Sequence, residues 1–403
     1  MIDPLHTALA RARIAFDAGD ATAAFRTLEP FASQLPEDER LALAWSAQLI
    51  AVHGEAALSQ EIARFAWHWG HHPDVMVNVC RAAVAWGATR PLDARAPDDD
   101  PVVQAAQALR RCLLDVRRVK EAAPLFLDLA VGLTAAGARW DDDALSAYEQ
   151  ALDLDPASAE GWSALGRHHL LRRRFDKALQ AATHAGEIGS DPSATWVRGV
   201  AATALGDFEV AAAAWRALGH DVGRGDDGLP LLDLPTVEVV LSARLSRLDD
   251  GPAAGGEAAL EVVWVKPHSP CHGRVVTPTV HALPADFDDR VLWDAAPLGF
   301  RPVQGREVPR FSALAVLGRG RAATHRFVGR QPRAGALAGL GDHLPPGCFV
   351  YVHDEQVMGG RDTEAVSGKV VAPRDMSRET LAAHLAAALP RVPGATLELS
   401  NPT

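Results

Sequence analysis

The stretch that decides the fold is Trp162-Ser-Ala-Leu165-Gly166 followed by Phe175-Asp-Lys-Ala178. Its small residues recur along the chain at nearly constant spacing: glycines at Gly132, Gly166 and Gly199, and alanines at Ala144, Ala178 and Ala211. The glycines are 34 and 33 residues apart, and the alanines repeat the same intervals. A period near 34 residues is typical of a stacked helical repeat.

Aromatic residues and prolines follow the same period. Phe175 and Phe208 are 33 residues apart, Tyr148 and Trp215 each follow one of the alanines by four positions, and Pro156 closes a unit. This pattern resembles the tetratricopeptide repeat (TPR). The resemblance implies antiparallel helix pairs, a small residue where the helices cross, and an aromatic residue filling the adjacent hole. We assign units to residues 125–158, 159–191 and 192–224.

The helical pattern continues upstream with weaker repeat marks. Leu5 to Asp17 and the segment ending at Ala32 form one degenerate unit, Leu41 to Trp67 a second, and 73–87 and 101–122 are further helices. A solenoid buries its core only by stacking neighbouring units. We therefore predict one TPR-like α-helical solenoid over 1–224, with a concave groove.

The sequence pattern changes after the predicted repeats. Residues 225–234 are a linker by composition, and 235–403 contain short β-branched runs bounded by Gly, Pro and Asp, with helices near 334–343 and 378–389. Ser377 is placed to cap the last helix, and Pro390 to end it. The second half is predicted to be an α+β domain with mostly antiparallel strands, and its sequence indicates no family.

The composition and the N-terminal sequence indicate the cellular compartment and the type of organism. The N-terminus Met1-Ile2-Asp3-Pro4 lacks a basic region before an apolar core, so no signal peptide is predicted, and no apolar run is long enough for a membrane helix. The four cysteines contain no CxxC pair, which favours reduced thiols in a cytoplasm. Arginine-rich, alanine-rich usage indicates a bacterial protein. No motif demands a cofactor.

Charge is unevenly distributed. Residues 235–403 hold 18 of the 40 basic and 18 of the 51 acidic side chains, so the whole net charge of −11 lies before 235 and disfavours nucleic acid there. The segment 301–333 contains eight arginines and a single acidic residue, Glu307. We interpret Arg310, Arg319, Arg321 and Arg326 as one basic hairpin. It could bind an acidic partner or the acidic repeat half of this chain, or simply be solvated.

Two histidine clusters are candidate chemical sites. Cys271 and His272, with His353 from another strand, could form a nucleophile with its base, although Pro270 and Gly273 equally suit a turn. Histidines His68, His71 and His72 have the i, i+3, i+4 spacing at which a helix could present them to one metal ion. Histidines near a helix C-terminus also favour its dipole, so this spacing does not demand a metal.

The repeat resemblance implies a binding groove. We interpret Glu160, Ser163, Arg167, Trp196 and Val200 as facing it, without the full clamp of Lys, Asn and Arg with which some TPR proteins hold acidic tails. An apolar groove of mixed charge suits a helix or an extended peptide. The predicted function is thus a cytoplasmic two-domain adaptor that holds a partner protein. The alternative is a hydrolase-like or transferase-like enzyme with its site in the second half and the repeats recruiting substrate.

Overall fold

The computed structural model describes residues 3–52, 54–91, 98–245, 259–294, 296–356 and 364–400. The chain forms two compact units, Met1–Leu205 and Gly206–Thr403. This division falls inside the third predicted repeat, 192–224. The assignment of 1–224, 225–234 and 235–403 to repeats, linker and second domain stays a prediction.

The first unit is built from α-helices, several of which begin with a capping side chain. The helices are α1 (Pro4–Asp17), α2 (Ala21–Leu28), α3 (Glu39–Ala47), α4 (Glu55–Trp69), α5 (Pro73–Gly87), α6 (Pro101–Cys112), α7 (Ala123–Ala136), α8 (Asp141–Leu154), α9 (Ala159–Leu171), α10 (Phe175–Ile188) and α11 (Pro192–Leu205). Side chains of Asp20, Asp38 and Ser158 accept hydrogen bonds from first-turn N–H groups, which satisfies donors that lack an intrahelical partner.

Stacked helix pairs bury the apolar core of this unit. The pairs α7–α8 and α9–α10 pack internally, and α9 also contacts α7 and α11. A large apolar cluster runs from Leu5 to Ala151, beside a smaller one of Val102, Val103 and Ala136. None of the helices in the described ranges is long and apolar enough to cross a bilayer.

In its described residues, the second unit combines β-strands with two α-helices. Its elements are α12 (Phe208–Ala217), β1 (Gly223–Arg224), β2 (Pro230–Leu231), β3 (Val237–Ser242), β4 (Leu260–Pro267), β5 (His272–Val275), β6 (Arg290–Trp293), β7 (Gly299–Val303), β8 (Arg306–Gly318), β9 (Ala322–Gln331), β10 (Phe349–Gln356), β11 (Glu364–Pro373), α13 (Arg378–Ala388) and β12 (Thr396–Leu399). The predicted helix near 334–343 is a 3₁₀ helix at Ala338–His343.

One sheet closes on itself. Its order is β3-β4-β5-β6-β8-β7, and an additional parallel pairing of β3 with β8 joins the two ends into a ring of β3, β4, β5, β6 and β8. Valines Val239, Val263 and Val291 with Trp293 fill the core inside it. The other pairings in this sheet are antiparallel, as the sequence predicts.

A second, four-stranded sheet follows in the order β10-β11-β9-β12, all antiparallel. Phe327 and Val370 on one face pack against Leu381 and Leu385 of α13, whose N-terminus Ser377 caps as predicted. The predicted basic hairpin was wrong. Its two strands, β8 and β9, belong to different sheets, because three residues between them carry the chain from one sheet to the other.

Candidate functional site

The first helices of successive repeats lie side by side. α9 contacts α7 on one side and α11 on the other, which places three first helices on one surface. Small residues make the crossings possible: a Cβ at Gly166 would lie 3.3 Å from the Ala178 carbonyl oxygen, and one at Gly132 only 2.5 Å from the Cys80 sulfur. Both glycines therefore lie where neighbouring helices approach each other closely.

Three of the five groove residues predicted from the sequence present side-chain surface to solvent. Glu160 is exposed, and Arg167 and Trp196 are partly exposed. Ser163 and Val200 are buried, at 5% and 0% exposure. The first helices thus offer Glu160, Arg167 and Trp196 as residues that a partner can reach, and their binding role stays a prediction.

A buried polar network connects the first two complete repeats. Thr134 on α7 contacts His168 on α9 through a 2.9 Å hydrogen bond, and its hydroxyl lies 3.4 Å from that of Tyr148 on α8. Arg172 donates to the Thr134 carbonyl at 2.8 Å and to Asp141 at 2.6 Å. The sequence analysis did not single out His168, because its partners lie one repeat away.

Burial lowers the pKa of both histidines at the end of α9. For His168 the pKa falls to about 4, with the nearby Arg172 guanidinium as the next contributor. For His169 the pKa also falls to about 4, through burial and then Arg174. Each imidazole is therefore neutral in the folded protein at pH 7.

We expect acid to destabilise the repeat unit before its carboxylates titrate. Because the folded pKa of His168 lies below the ordinary 6.5, the unfolded chain binds the extra proton, and stability present above pH 6.5 is lost as pH falls toward 4. The loss from His168 alone is on the order of 3 kcal/mol. Urea unfolding at pH 7, 5 and 4 measures it. His168→Gln should reduce the pH dependence and leave the part that His169 supplies, whereas an equally steep loss in that variant would contradict the assignment.

The predicted Cys–His pair is inaccessible. Cys271 and His272 are both 0% exposed. Ser269 joins them, with its hydroxyl 2.6 Å from His272 Nδ1 and 3.6 Å from the Cys271 sulfur. Burial lowers the pKa of His272 to about 3, which makes it a poor base. His353 lies on β10 in the other sheet, with its ring 5.1 Å from that of Tyr351. The structure does not favour the enzyme alternative.

The three histidines proposed for a metal are not presented by one helix. α4 ends at Trp69, so only His68 lies on it, and His72 is the N-cap residue that precedes α5. His72 Nε2 contacts Glu39 at 2.9 Å, while the His71 ring stacks near Trp69. Within the described residues, no group of three or more His, Cys, Asp or Glu side chains is placed to hold a metal ion.

Several of the arginines between 301 and 333 pair with acidic side chains of their own unit. Arg310 donates to Glu238 at 2.8 and 2.9 Å, and Arg301 pairs with the same buried carboxylate. Arg319 pairs with buried Asp289 at 3.1 Å. These contacts give Arg310 and Arg319 a structural role that sequence proximity did not indicate.

An acidic turn, Asp286-Phe-Asp-Asp289, connects the two sheets. Asp288 accepts from the backbone N–H groups of Arg321 and Ala322 and pairs with Arg274 of β5. Asp289 accepts from the Gly320 N–H at 2.9 Å. A Cβ at Gly320 would lie 2.3 Å from the Asp288 carbonyl oxygen, so only glycine permits this approach. The sequence analysis missed this turn, because its carboxylates bind residues that are distant along the chain.

A cleft of about 260 Å³ lies beside this turn. Its lining residues are Ala282, Leu283, Asp286, Arg319, Thr324, His325, Arg326, Lys369, Arg378 and Ser400. Four of these side chains are basic and one is acidic. Of the predicted basic-segment residues, Arg319 and Arg326 meet here, whereas Arg310 and Arg321 do not line it.

A second cleft, of about 400 Å³, lies in the repeat unit between α2 and α4. Phe25 and Val52 contribute apolar surface, and Arg26, Glu29 and Glu61 contribute charge. It could receive a side chain of a bound segment, and no sequence signal pointed to it.

Comparison with solved structures reports repeat proteins. The structure of MamA aligns at 15% identity and a TM-score of 0.32, covering 44% of this chain and 93% of that one. PilF of Pseudomonas aeruginosa aligns at 13% and 0.39, covering 53% and 90%. A thermophilic TPR protein of Thermus thermophilus aligns at 21% and 0.36, covering 50% and 98%.

The repeat period, the helix pairs and the glycines at their crossings together decide the fold of the first unit. It is TPR-like. No family model matches the chain. No curated protein matches it either. The second unit therefore has no assigned family.

Proposed function

We propose that the TPR-like unit holds a segment of a partner protein and that the chain is a cytoplasmic adaptor. The observation that carries this proposal is the alignment of α7, α9 and α11 on one surface. Successive first helices make a continuous binding face, and the exposed parts of Glu160, Arg167 and Trp196 on it provide both charges and an aromatic anchor.

Exposed apolar side chains support a protein partner. In the repeat unit Trp67 is 84% exposed, Leu114 76% and Ile14 70%. Single exposed apolar residues are ordinary, but tryptophan is among the residues most enriched at interfaces. A secondary contact with an acidic partner, or with the acidic repeats themselves, is proposed for the exposed arginines Arg321 and Arg326.

Site-specific photo-crosslinking tests both surfaces in the full chain. A benzophenone amino acid at Glu160 is expected to capture a partner in cells of the source organism, because α9 faces the proposed groove. The matched control position is Glu187, which is also exposed in the same repeat but lies on the second helix, α10. A third probe at Arg321 reports the secondary contact.

The outcomes separate cleanly. A discrete adduct from Glu160 that is absent from Glu187 supports the groove. Equal adducts from both positions, or none from Glu160, would contradict it. An adduct from Arg321 that fades in about 0.5 M salt indicates an acidic partner, because exposed charge pairs are screened within a short Debye length.

A further inference from the structure

The cleft beside the acidic turn carries an excess of positive charge. Lys369 on β11 and Arg326 on β9 are direct cross-strand partners. Like charges in that register repel each other. Asp286 lies 2.5 Å from the Lys369 ammonium and offsets one charge only. Arg326 instead donates to the Val280 carbonyl oxygen at 3.1 Å, which leaves its charge uncompensated at this contact.

Two further arginines of the cleft also have no carboxylate of their own. Arg378 donates to the carbonyl oxygens of Leu399 and Ser400, at 2.9 and 2.7 Å. Arg319 shares the single carboxylate of Asp289 with Arg374. A guanidinium has five N–H donors, and backbone carbonyls accept hydrogen bonds without neutralising its charge. The cleft therefore presents charged donors from three arginines.

The floor of the cleft is preorganised. The Lys369 side chain is 4% exposed and is held by Asp286 and, at 2.7 Å, by the Thr279 hydroxyl. Thr324 donates to the same Asp286 carboxylate at 2.6 Å. His325 also lines the cleft, and its Nε2 is buried with no hydrogen-bond partner among the described residues.

We propose that this cleft binds a small ligand through an oxyanion group, a phosphate or a carboxylate. Guanidinium forks match both groups in geometry and charge. The volume of about 260 Å³ is below the roughly 300–1,000 Å³ that holds drug-sized ligands, so it suits the anionic group and a small remainder. This site is independent of the proposed groove, since it lies wholly in the second unit.

Titration calorimetry on the full chain tests the proposal with two probes, inorganic phosphate and succinate, at constant ionic strength. We expect one saturable site for at least one probe, with affinity reduced about tenfold in Arg326→Gln through loss of a charge-assisted contact. Arg330→Gln is the matched control: Arg330 is exposed on the same strand, β9, four residues on, and does not line the cleft. Its binding should equal that of the parent.

A measurement on the unmodified protein removes any dependence on variant folding. Saturating the responding probe should shift the His325 ring resonances, because His325 lines the cleft. Stronger response to phosphate identifies a phosphate ligand, and stronger response to succinate a carboxylate. The proposal is overturned if neither probe binds up to about 10 mM. It also fails if Arg330→Gln weakens binding as much as Arg326→Gln, or if the His325 resonances do not move.

Discussion

Replacing both Arg301 and Arg310 by methionine is expected to destabilise the second unit by about 3–5 kcal/mol, because it leaves the buried Glu238 carboxylate without a counter-charge. Glu238 is 1% exposed, and both guanidiniums contact it. Burial alone would raise the pKa of this carboxyl, but the two arginines hold it below its usual value. Chemical unfolding of the full chain at pH 7, followed by its tryptophan fluorescence and circular dichroism, measures the loss.

A third substitution provides the control for this double variant. Adding Glu238→Leu to the double variant removes the stranded charge, and stability should return to within about 1–2 kcal/mol of the parent, since an apolar replacement of a buried ion pair is often neutral. The deficit of the double variant should also shrink as pH falls, because its carboxyl then takes up a proton. A triple variant as unstable as the double would show that packing, rather than charge, holds this site.

Gly166→Leu is expected to destabilise the repeat unit by about 1–3 kcal/mol through overpacking. A Cβ at this position would already lie 3.3 Å from the Ala182 nitrogen and 3.5 Å from the Ala181 Cβ, both on α10, so no room remains for a branched side chain. Thermal and urea unfolding, followed by helical circular dichroism, report the change.

Gly186→Leu is the matched control. Gly186 lies within α10, is exposed, and a Cβ there would meet only Arg198, at 4.0 Å. Because glycine is a poor helix former, this variant should be neutral or slightly more stable than the parent. If both variants unfold at the same temperature and urea concentration, the close approach of α10 is not the reason that the repeat has a glycine at position 166.

Local signals predicted the repeat unit well. The 34-residue period located the helix pairs because each pair is stabilised mainly by its neighbours in sequence, and the predicted helix 73–87 matches α5, Pro73–Gly87. The predicted helix 101–122 was too long: α6 ends at Cys112. The chain then continues through 3₁₀ segments at Leu113–Asp115 and Lys120–Ala122.

The second unit shows where sequence reasoning stops. Its strands are visible as β-branched runs, but which strands pair depends on contacts distant in sequence, so local pattern alone predicts a hairpin of β8 and β9 that does not form. The arginines are visible as a cluster, yet their partners, Glu238 and Asp289, lie 30 or more residues away. Charge clustering therefore predicted a binding surface where much of the charge stabilises the fold.

The ring of strands in the second unit has a consequence for solubility. A strand at a sheet edge offers unpaired N–H and C=O groups to any passing chain, and that exposure leads to strand exchange and fibrils. Because β3 pairs with β8 as well as with β4, it does not end the sheet, and β7 takes the outer position. In the other sheet the outer positions fall to β10 and the short β12, Thr396–Leu399. The six residues of β3 are all buried, and its pairing on both sides prevents it from pairing with a strand of another chain.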